Sequence, residues 1–473
     1  MTAGGAQAKD GLSGEALQRK ALDAVDAGLD ASLARLFGFL RIPSISTDPA
    51  HKGDCRAAAD WAAATLTDLG LAATVIPTTG HPVVVGRTDT GAARRVLFYG
   101  HYDVQPVDPL ELWETPPFEP RFGAGAAGRR TIVGRGASDD KGQLLTFLEA
   151  LRAFRAAGGA PPVDVTVFLE GEEECGSPSL PGFFAAEADR LKADLALVCD
   201  TGMWSATTPS ITTSLRGILS VEVTVAGPSR DLHSGLYGGA ARNPIHVLAD
   251  ILAAARGADG RVAIPGFYDS VREMPQEVRE AWARLALGPE EFLKPVGLSV
   301  PAGESDRMLI EQIQSRPTME VNGIFGGYTG EGTKTIIPSK ATAKISFRLV
   351  ADQDPAQIAT AFEAFVRARL PADCSATFSG HGGSRAFLVD PASPDLAHAA
   401  QALREEWGVA PVMVGSGGSI PIVGQFKSRL GIDTLLIGFA LDDDRIHSPN
   451  EKYDVTSFHK GTRSWVRILQ ALG

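Results

Sequence analysis

Cysteine is scarce in this chain, with four residues among 473 (Cys55, Cys175, Cys199 and Cys374) and no CxxC pair. A disulfide scaffold and a cysteine-based zinc knuckle are therefore left without support, and the thiols read as reduced, buried and cytosolic. Positive charge is also in deficit: 45 Lys and Arg face 56 Asp and Glu, for a formal charge of -11. No broad electropositive surface for nucleic acid or anionic lipid is expected. Long apolar runs are missing too. No segment approaches transmembrane length, and the first forty residues are broken by charges and lack the apolar run and small-residue cleavage site of a secretory signal. With nucleic acid and membrane set aside as partners, a cytoplasmic location is expected. What is present is ordinary globular composition, 44% hydrophobic and 21% charged, enough for two or three domains.

Apolar residues recur at helical spacing over 15–40, and RIPSIST ends that helix in a loop; a second amphipathic helix covers roughly 55–69. Apolar β-rich runs follow at 83–86, 96–104, 163–171 and 195–200, separated by helical patterns such as GQLLTFLEALRAFRAAG. Strands alternating with helices predict an α/β fold with a mostly parallel, buried sheet. After about Leu215 the texture changes to SVEVTVAG, NPIHVLADILAAAR, a polar helical stretch near 270–290, ATAKISFRLV, PAQIATAFEAFVRARL and SATFSG. This reads as an inserted α+β domain over 217–389, with the first domain split into 1–216 and 390–473.

Chemistry concentrates where strands end. His101 and Asp103 close an apolar run, and an i, i+2 pair on extended chain shares a face, so Asp103 can hold one ring nitrogen of His101 and aim the other. Taken alone, the pair equally describes a strand-end histidine satisfied by its neighbour. GRGASDDKG sets Asp139 and Asp140 in a Gly-bracketed loop before a helix, where a bound cation and helix N-capping are both open readings. LEGEEECGS places Glu170, Glu172, Glu173 and Glu174 directly after a buried strand. Their repulsion must be relieved by metal or by protonation, and a carboxylate of raised pKa beside a metal-bound one suits a general base and ligand pair; surface acidity is the alternative. Asp200 closes LALVCD. His447 follows DTLLIGFAL and precedes SPNE, in which Ser448 and Glu451 stand at capping-box spacing with Pro449 at the first helical position. Asp442 to Asp444 read as a solvated turn.

Five strand ends thus offer His101, Asp139, Glu173 with Glu174, Asp200 and His447, and sites in open α/β sheets assemble at such ends. The nitrogen and oxygen donors suit zinc, or cobalt and manganese in substitution, and a bridging carboxylate would hold two ions about 3.5 Å apart to activate a water. No serine or cysteine nucleophile is indicated, since Cys175 lies among carboxylates that oppose thiolate formation.

Over nearly its full length the chain resembles the di-zinc metallopeptidase family that contains carnosinase-type dipeptidases, glutamate carboxypeptidases, aminoacylases and succinyl-diaminopimelate desuccinylases. The matching strings are FYGHYDVQP, GRGASDDKG, EGEEECGS, CDTGMW, RDLHSGLYGG, KTIIPSKATAKISFRLV, GSGGSIP and HSPNEKYD. Their forms and the chain length look like the dipeptidase branch. The resemblance implies two Zn2+ per chain, with Asp139 bridging, His101 and Asp200 on one ion, and Glu174 and His447 on the other. It implies Glu173 as general base, Asp103 as the group orienting His101, and a cis peptide between Asp139 and Asp140. The inserted domain would be a lid and homodimerisation domain whose His233 reaches the partner subunit's active site to stabilise the oxyanion. Arg348 would bind the substrate carboxylate, a natural task for a planar guanidinium. Thr335, Gly418 and Ser419 match substrate-contacting positions, and His381 a recurrent histidine at the return from the lid. His51, His81, His246, His398 and His459 have no motif around them and read as structural.

The expected activity is metal-dependent hydrolysis of dipeptides or short peptides with a free C-terminal carboxylate. An N-acyl or N-carbamoyl amino acid amidohydrolase on the same site is the nearest alternative, because the pocket that selects the acyl group is not visible in a sequence. A catalytically silent dimeric binding protein is the alternative from another class.

Overall fold

Ser13 accepts the N–H of Ala16 and starts the first helix, Gly14–Leu40, which buries Leu22, Val25, Leu33 and Leu36 at helical spacing. The computed structural model describes residues 13–418 and 420–473. The chain divides into two compact units, one formed by residues up to 212 with 389–413 and 425–473, the other by 213–388 with 414–424. No helix among the described residues is long and apolar enough to cross a membrane.

In the first unit the strands lie in the order Ala72–Ile76, Val83–Arg87, Asp164–Glu170, Arg95–His101, Leu195–Val198, Asp433–Leu436, with Ser210–Leu215 joining at Thr212. The four from Asp164–Glu170 to Asp433–Leu436 run parallel, whereas the flanking pairs are antiparallel. The sheet is thus mixed rather than mostly parallel. The connection over 77–82 is too short for the crossover that a parallel pair needs, so the first two strands form a hairpin. Asp164–Glu170 is buried at every position, as a strand covered on both faces must be.

Successive side chains of Arg95–His101 serve opposite faces. Phe98 stacks on Phe147 at 3.9 Å between centroids and meets Trp465 edge-on, which ties helices Lys141–Ala156 and Val455–Leu472 to one face. Tyr99 on the other face adjoins Phe168, which stacks on Phe183 of helix Leu180–Glu187. Burial of each such aromatic ring contributes about 1.5–3 kcal/mol. A smaller sheet pairs Arg121–Ala124, Arg130–Val133 and Lys452–Asp454.

The second unit is built on an antiparallel sheet in the order Thr318–Gly326, Lys340–Leu349, Gly217–Ala226, Ser375–Ser384. Gly217–Ala226 alternates strictly between buried and half-buried positions, the pattern of a sheet covered on one face. Helices Pro244–Ala254 and Pro355–Arg367 supply that cover, with Leu248, Ile251, Phe362 and Val366 against Val221, Val223, Ala343 and Phe347. A two-residue ladder, Leu232–His233 with Ile336–Ile337, sets His233 opposite Ile336.

Candidate metal centre

The parallel strands of the first unit end together. His101 pairs in register with Glu170, and Asp200 stands two residues beyond Val198, which pairs with Tyr99. One strand therefore delivers His101, a second the acidic loop 170–174 and a third Asp200, a convergence fixed by sheet register. Asp139 and His447 arrive from two loops joined by the small sheet, because Lys452–Asp454 pairs antiparallel with Arg130–Val133. In GRGASDDKG the chain doubles back so tightly that a Cβ on Gly142 would lie 1.9 Å from the Ala137 carbonyl oxygen, so only glycine fits. The Asp139–Asp140 peptide is cis.

Asp139 is at the centre. Its Oδ1 lies 3.1 Å from His101 Nε2 and its Oδ2 lies 2.9 Å from His447 Nε2. His447 Nε2 also stands 3.3 Å from Glu174 Oε2. Donor atoms of His101, Asp139 and Glu174 lie within 4.8 Å of one another. The far nitrogen of His101, Nδ1, is held 3.1 Å from the Asp103 carbonyl and 3.4 Å from its carboxylate, which aims Nε2 inward. Asp103 Oδ2 also accepts the N–H of Glu174 at 3.1 Å, and Gln105 Nε2 donates to Glu174 Oε2 at 2.7 Å. His447 adopts a left-handed φ of 61°, an uncommon conformation for a non-glycine residue.

Electrostatics follow from crowding. Burial pushes Asp200 up to about 8, and the Asp139 charge adds to it. Burial likewise takes Glu173 up to about 7, with His101 opposing and Glu174 and Asp139 reinforcing. For Asp139 burial works upward, but hydrogen bonds from His101 and His447 outweigh it and hold the carboxyl well below the usual range. Hydrogen bonds with Asp139 and Glu174 lift His447 to about 10. Buried carboxylates facing two imidazoles need cationic neutralisation, and these oxygen and nitrogen donors are the set that zinc, cobalt and manganese accept. A second acidic group, Asp443, Asp444 and Asp454, already holds its cations: Lys452 Nζ lies 2.8 and 2.7 Å from Asp443 and Asp444, and Arg129 is paired with Asp454.

The other candidates belong to the second unit. His233 is exposed, and its Nδ1 accepts the Gly235 N–H at 3.0 Å, which leaves the ring proton on Nε2. The exposed Thr335 lies beside it, its carbonyl accepting the N–H of Ser234. Arg348 sits on Lys340–Leu349 between Thr318 and Ile218, on the half-buried face. Gly418 is exposed, with its N–H donated to Ser416 Oγ. Ser419 and the side chain of His381 lie outside the described residues.

One group escaped the sequence reading, and two stand differently from it. Arg216 donates to the carbonyls of Gly417 and Arg316, and burial together with the charge of Arg348 lowers it to about 10. Asp444 is buried rather than solvated. Glu451 caps no helix: residues 447–450 form turns, a short strand follows, and the terminal helix starts only at Val455. Its buried carboxylate accepts backbone N–H groups of 136, 138 and 139 instead.

Residues 97–471 match peptidase family M20/M25/M40. The Cys-Gly metallodipeptidase of Candida albicans is 31% identical over 400 residues, 83% of this chain and 81% of that protein. The human Beta-Ala-His dipeptidase is 30% identical over 81% of this chain and 76% of its own length. Among solved structures, the M20 family metallo-carboxypeptidase of Sulfolobus solfataricus superimposes with a TM-score of 0.79 at 31% identity, covering 93% of this chain and 98% of that one.

Proposed function

The chain belongs to peptidase family M20/M25/M40, and from that premise we propose that it is a dinuclear, zinc-dependent dipeptidase acting on dipeptides or short peptides with a free C-terminal carboxylate. The observation that carries this reading is Asp139, whose two oxygens face different imidazoles, as a carboxylate shared between two ions requires. His101, Asp139 and Asp200 would hold one ion, and Asp139, Glu174 and His447 the other, with cobalt or manganese as substitutes. When bound, such ions supply Lewis acidity and make water more acidic.

The chain's own residues do the remaining work. Glu173, half-buried and pushed up to about 7, is suited to take a proton from the attacking water and return it to the leaving amine. Asp103 keeps the His101 ring in one orientation. Arg348 binds the substrate carboxylate, while Thr335, Gly418 and Ser419 contact the substrate.

The second unit acts as lid and dimerisation domain, and His233 of the partner subunit donates its Nε2–H to the oxyanion. Two features support this. The edge strand Thr318–Gly326 exposes Val321, Ile324 and Phe325, and Leu236 and Tyr237 are exposed just after His233. A cytoplasmic location agrees with four free cysteines.

The test is metal analysis of the purified protein together with amino acid release from dipeptides and from N-acyl and N-carbamoyl amino acids. About two ions per chain with dipeptide cleavage is the expected result. Release from acylated amino acids alone would move the substrate while keeping the site. Absence of metal and activity after supplementation would overturn the reading.

A further inference from the structure

Glu451 lies four residues after His447, and its carboxylate is fully buried. Oε1 accepts the N–H groups of Ser138 at 2.9 Å and Asp139 at 3.0 Å. Oε2 accepts the N–H of Gly136 at 3.0 Å and the Arg135 guanidinium at 2.9 Å. A carboxylate has about four acceptor sites, so this one has none left for a metal ion. The Glu451 carbonyl takes the N–H of Gly134 as well. On the same segment, Asp444 Oδ2 accepts Ser138 Oγ and the Leu441 N–H, each at 2.8 Å. Arg135 extends the connection, donating also to the Pro106 carbonyl at 2.8 Å in the chain that follows His101 and Asp103.

We propose that Glu451 is a positioning residue for the metal centre, setting the place of Asp139 relative to His447. The inference rests on the reading of those two residues as metal ligands. The donors it gathers are the backbone amides around Asp139, including that of Asp139 itself, and Glu451 shares a short segment with His447. Two ligands far apart in sequence are thus fastened through one side chain, assisted by the Ser138 to Asp444 hydrogen bond. Removing an acceptor from a buried amide cluster leaves orphaned N–H groups, and the loop must shift to find partners.

The test uses the full chain, depleted of metal and titrated with Co2+ in competition with a chelator. It reads affinity, the visible spectrum at saturation and Tm. Glu451→Gln places an amide N–H2 against N–H donors, so Co2+ affinity is expected to fall about ten- to hundred-fold with an altered saturated spectrum. Glu451→Asp, which keeps the charge but draws the carboxylate back from the amides of 136, 138 and 139, should weaken binding a few-fold and displace the spectrum in the same direction, and it decides the matter if Glu451→Gln does not fold. Wild-type affinity and spectrum in the folded variants, with only Tm lowered, would reduce Glu451 to a support of the fold and overturn the inference. A wild-type chain that binds no Co2+ would instead overturn the metal-centre reading on which the inference stands.

Discussion

His101 and His447 address opposite oxygens of one carboxylate, that of Asp139, at 3.1 and 2.9 Å. Asparagine at this position would keep the shape but turn an N–H2 toward one imidazole and remove the charge that, in the proposed scheme, two ions would share. Asp139→Asn is therefore expected to lower bound metal from about two ions per chain to about one or fewer. Elemental analysis after equilibrium dialysis reads the ratio, and an unchanged stoichiometry would rule out the bridging role.

Glu173 stands beside a ligand without being one in the proposed scheme, so its removal separates chemistry from metal binding. Glu173→Gln should retain the full metal complement while kcat falls about 10²–10⁴-fold, the usual contribution of a positioned acid or base. Steady-state kinetics with parallel metal analysis distinguishes the two. Normal turnover would remove Glu173 from the role of base, and loss of metal would recast it as a ligand.

The ligand candidates were legible because their signal is local: a histidine or acid at the end of an apolar run, as at His101, Asp200 and the 170–174 loop, is visible in one dimension. The groups packed around these candidates were not legible. Glu451 had the spacing of a capping box, and only the fold reveals that its oxygens face the amides of 136, 138 and 139. Asp444 looked like one of three solvated acids, yet Ser138 and Lys452 draw it inward while Asp442 and Asp443 stay exposed. Strand direction was half legible. The long helical spacers announced the parallel strands, but the strand Ala72–Ile76 has no buried position and left no hydrophobic signature of the antiparallel edge.

Arg348 is proposed to bind the substrate carboxylate and His233 to stabilise the oxyanion, so their variants should differ in kind. Arg348→Ala should raise KM about 10–100-fold, the worth of hydrogen bonds to a charged group, with a smaller effect on kcat. A dipeptide amide, lacking the carboxylate, should be cleaved poorly by both proteins and to a similar extent. Retained discrimination against the amide in Arg348→Ala would assign carboxylate recognition elsewhere.

His233→Ala should lower kcat about 10²–10³-fold, the usual loss for one oxyanion donor. Sedimentation of the variant should match that of the wild type, because the exposed apolar residues Val321, Ile324 and Phe325 are untouched. Mixing His233→Ala with Glu173→Gln gives a sharper test. If His233 serves the partner subunit, heterodimers pair one intact base with one intact histidine and recover activity. Failure of the mixture to regain activity after subunit exchange would place His233 in its own subunit's site or outside catalysis.

Glu170 yields a prediction about stability in the metal-free protein. Burial pushes its carboxyl up to about 8; the hydrogen bond from Tyr99 opposes this, and the charges of Asp103 and Glu173 add to it. The folded state thus keeps a proton that the unfolded chain releases at the ordinary glutamate value near 4.5. Stability from this group is fully present below that value and is lost as pH rises toward 8, because over that window the folded state binds more protons than the unfolded. Glu170→Gln has no proton to lose and keeps an oxygen for the Tyr99 hydroxyl. Its Tm should equal or fall slightly below that of the wild type at about pH 4.5 and exceed it by a few degrees at about pH 8. Calorimetry of both proteins across this range reads the difference, in which the titrations common to both cancel. Parallel pH profiles would mean that Glu170 is ionised in the folded state at neutral pH.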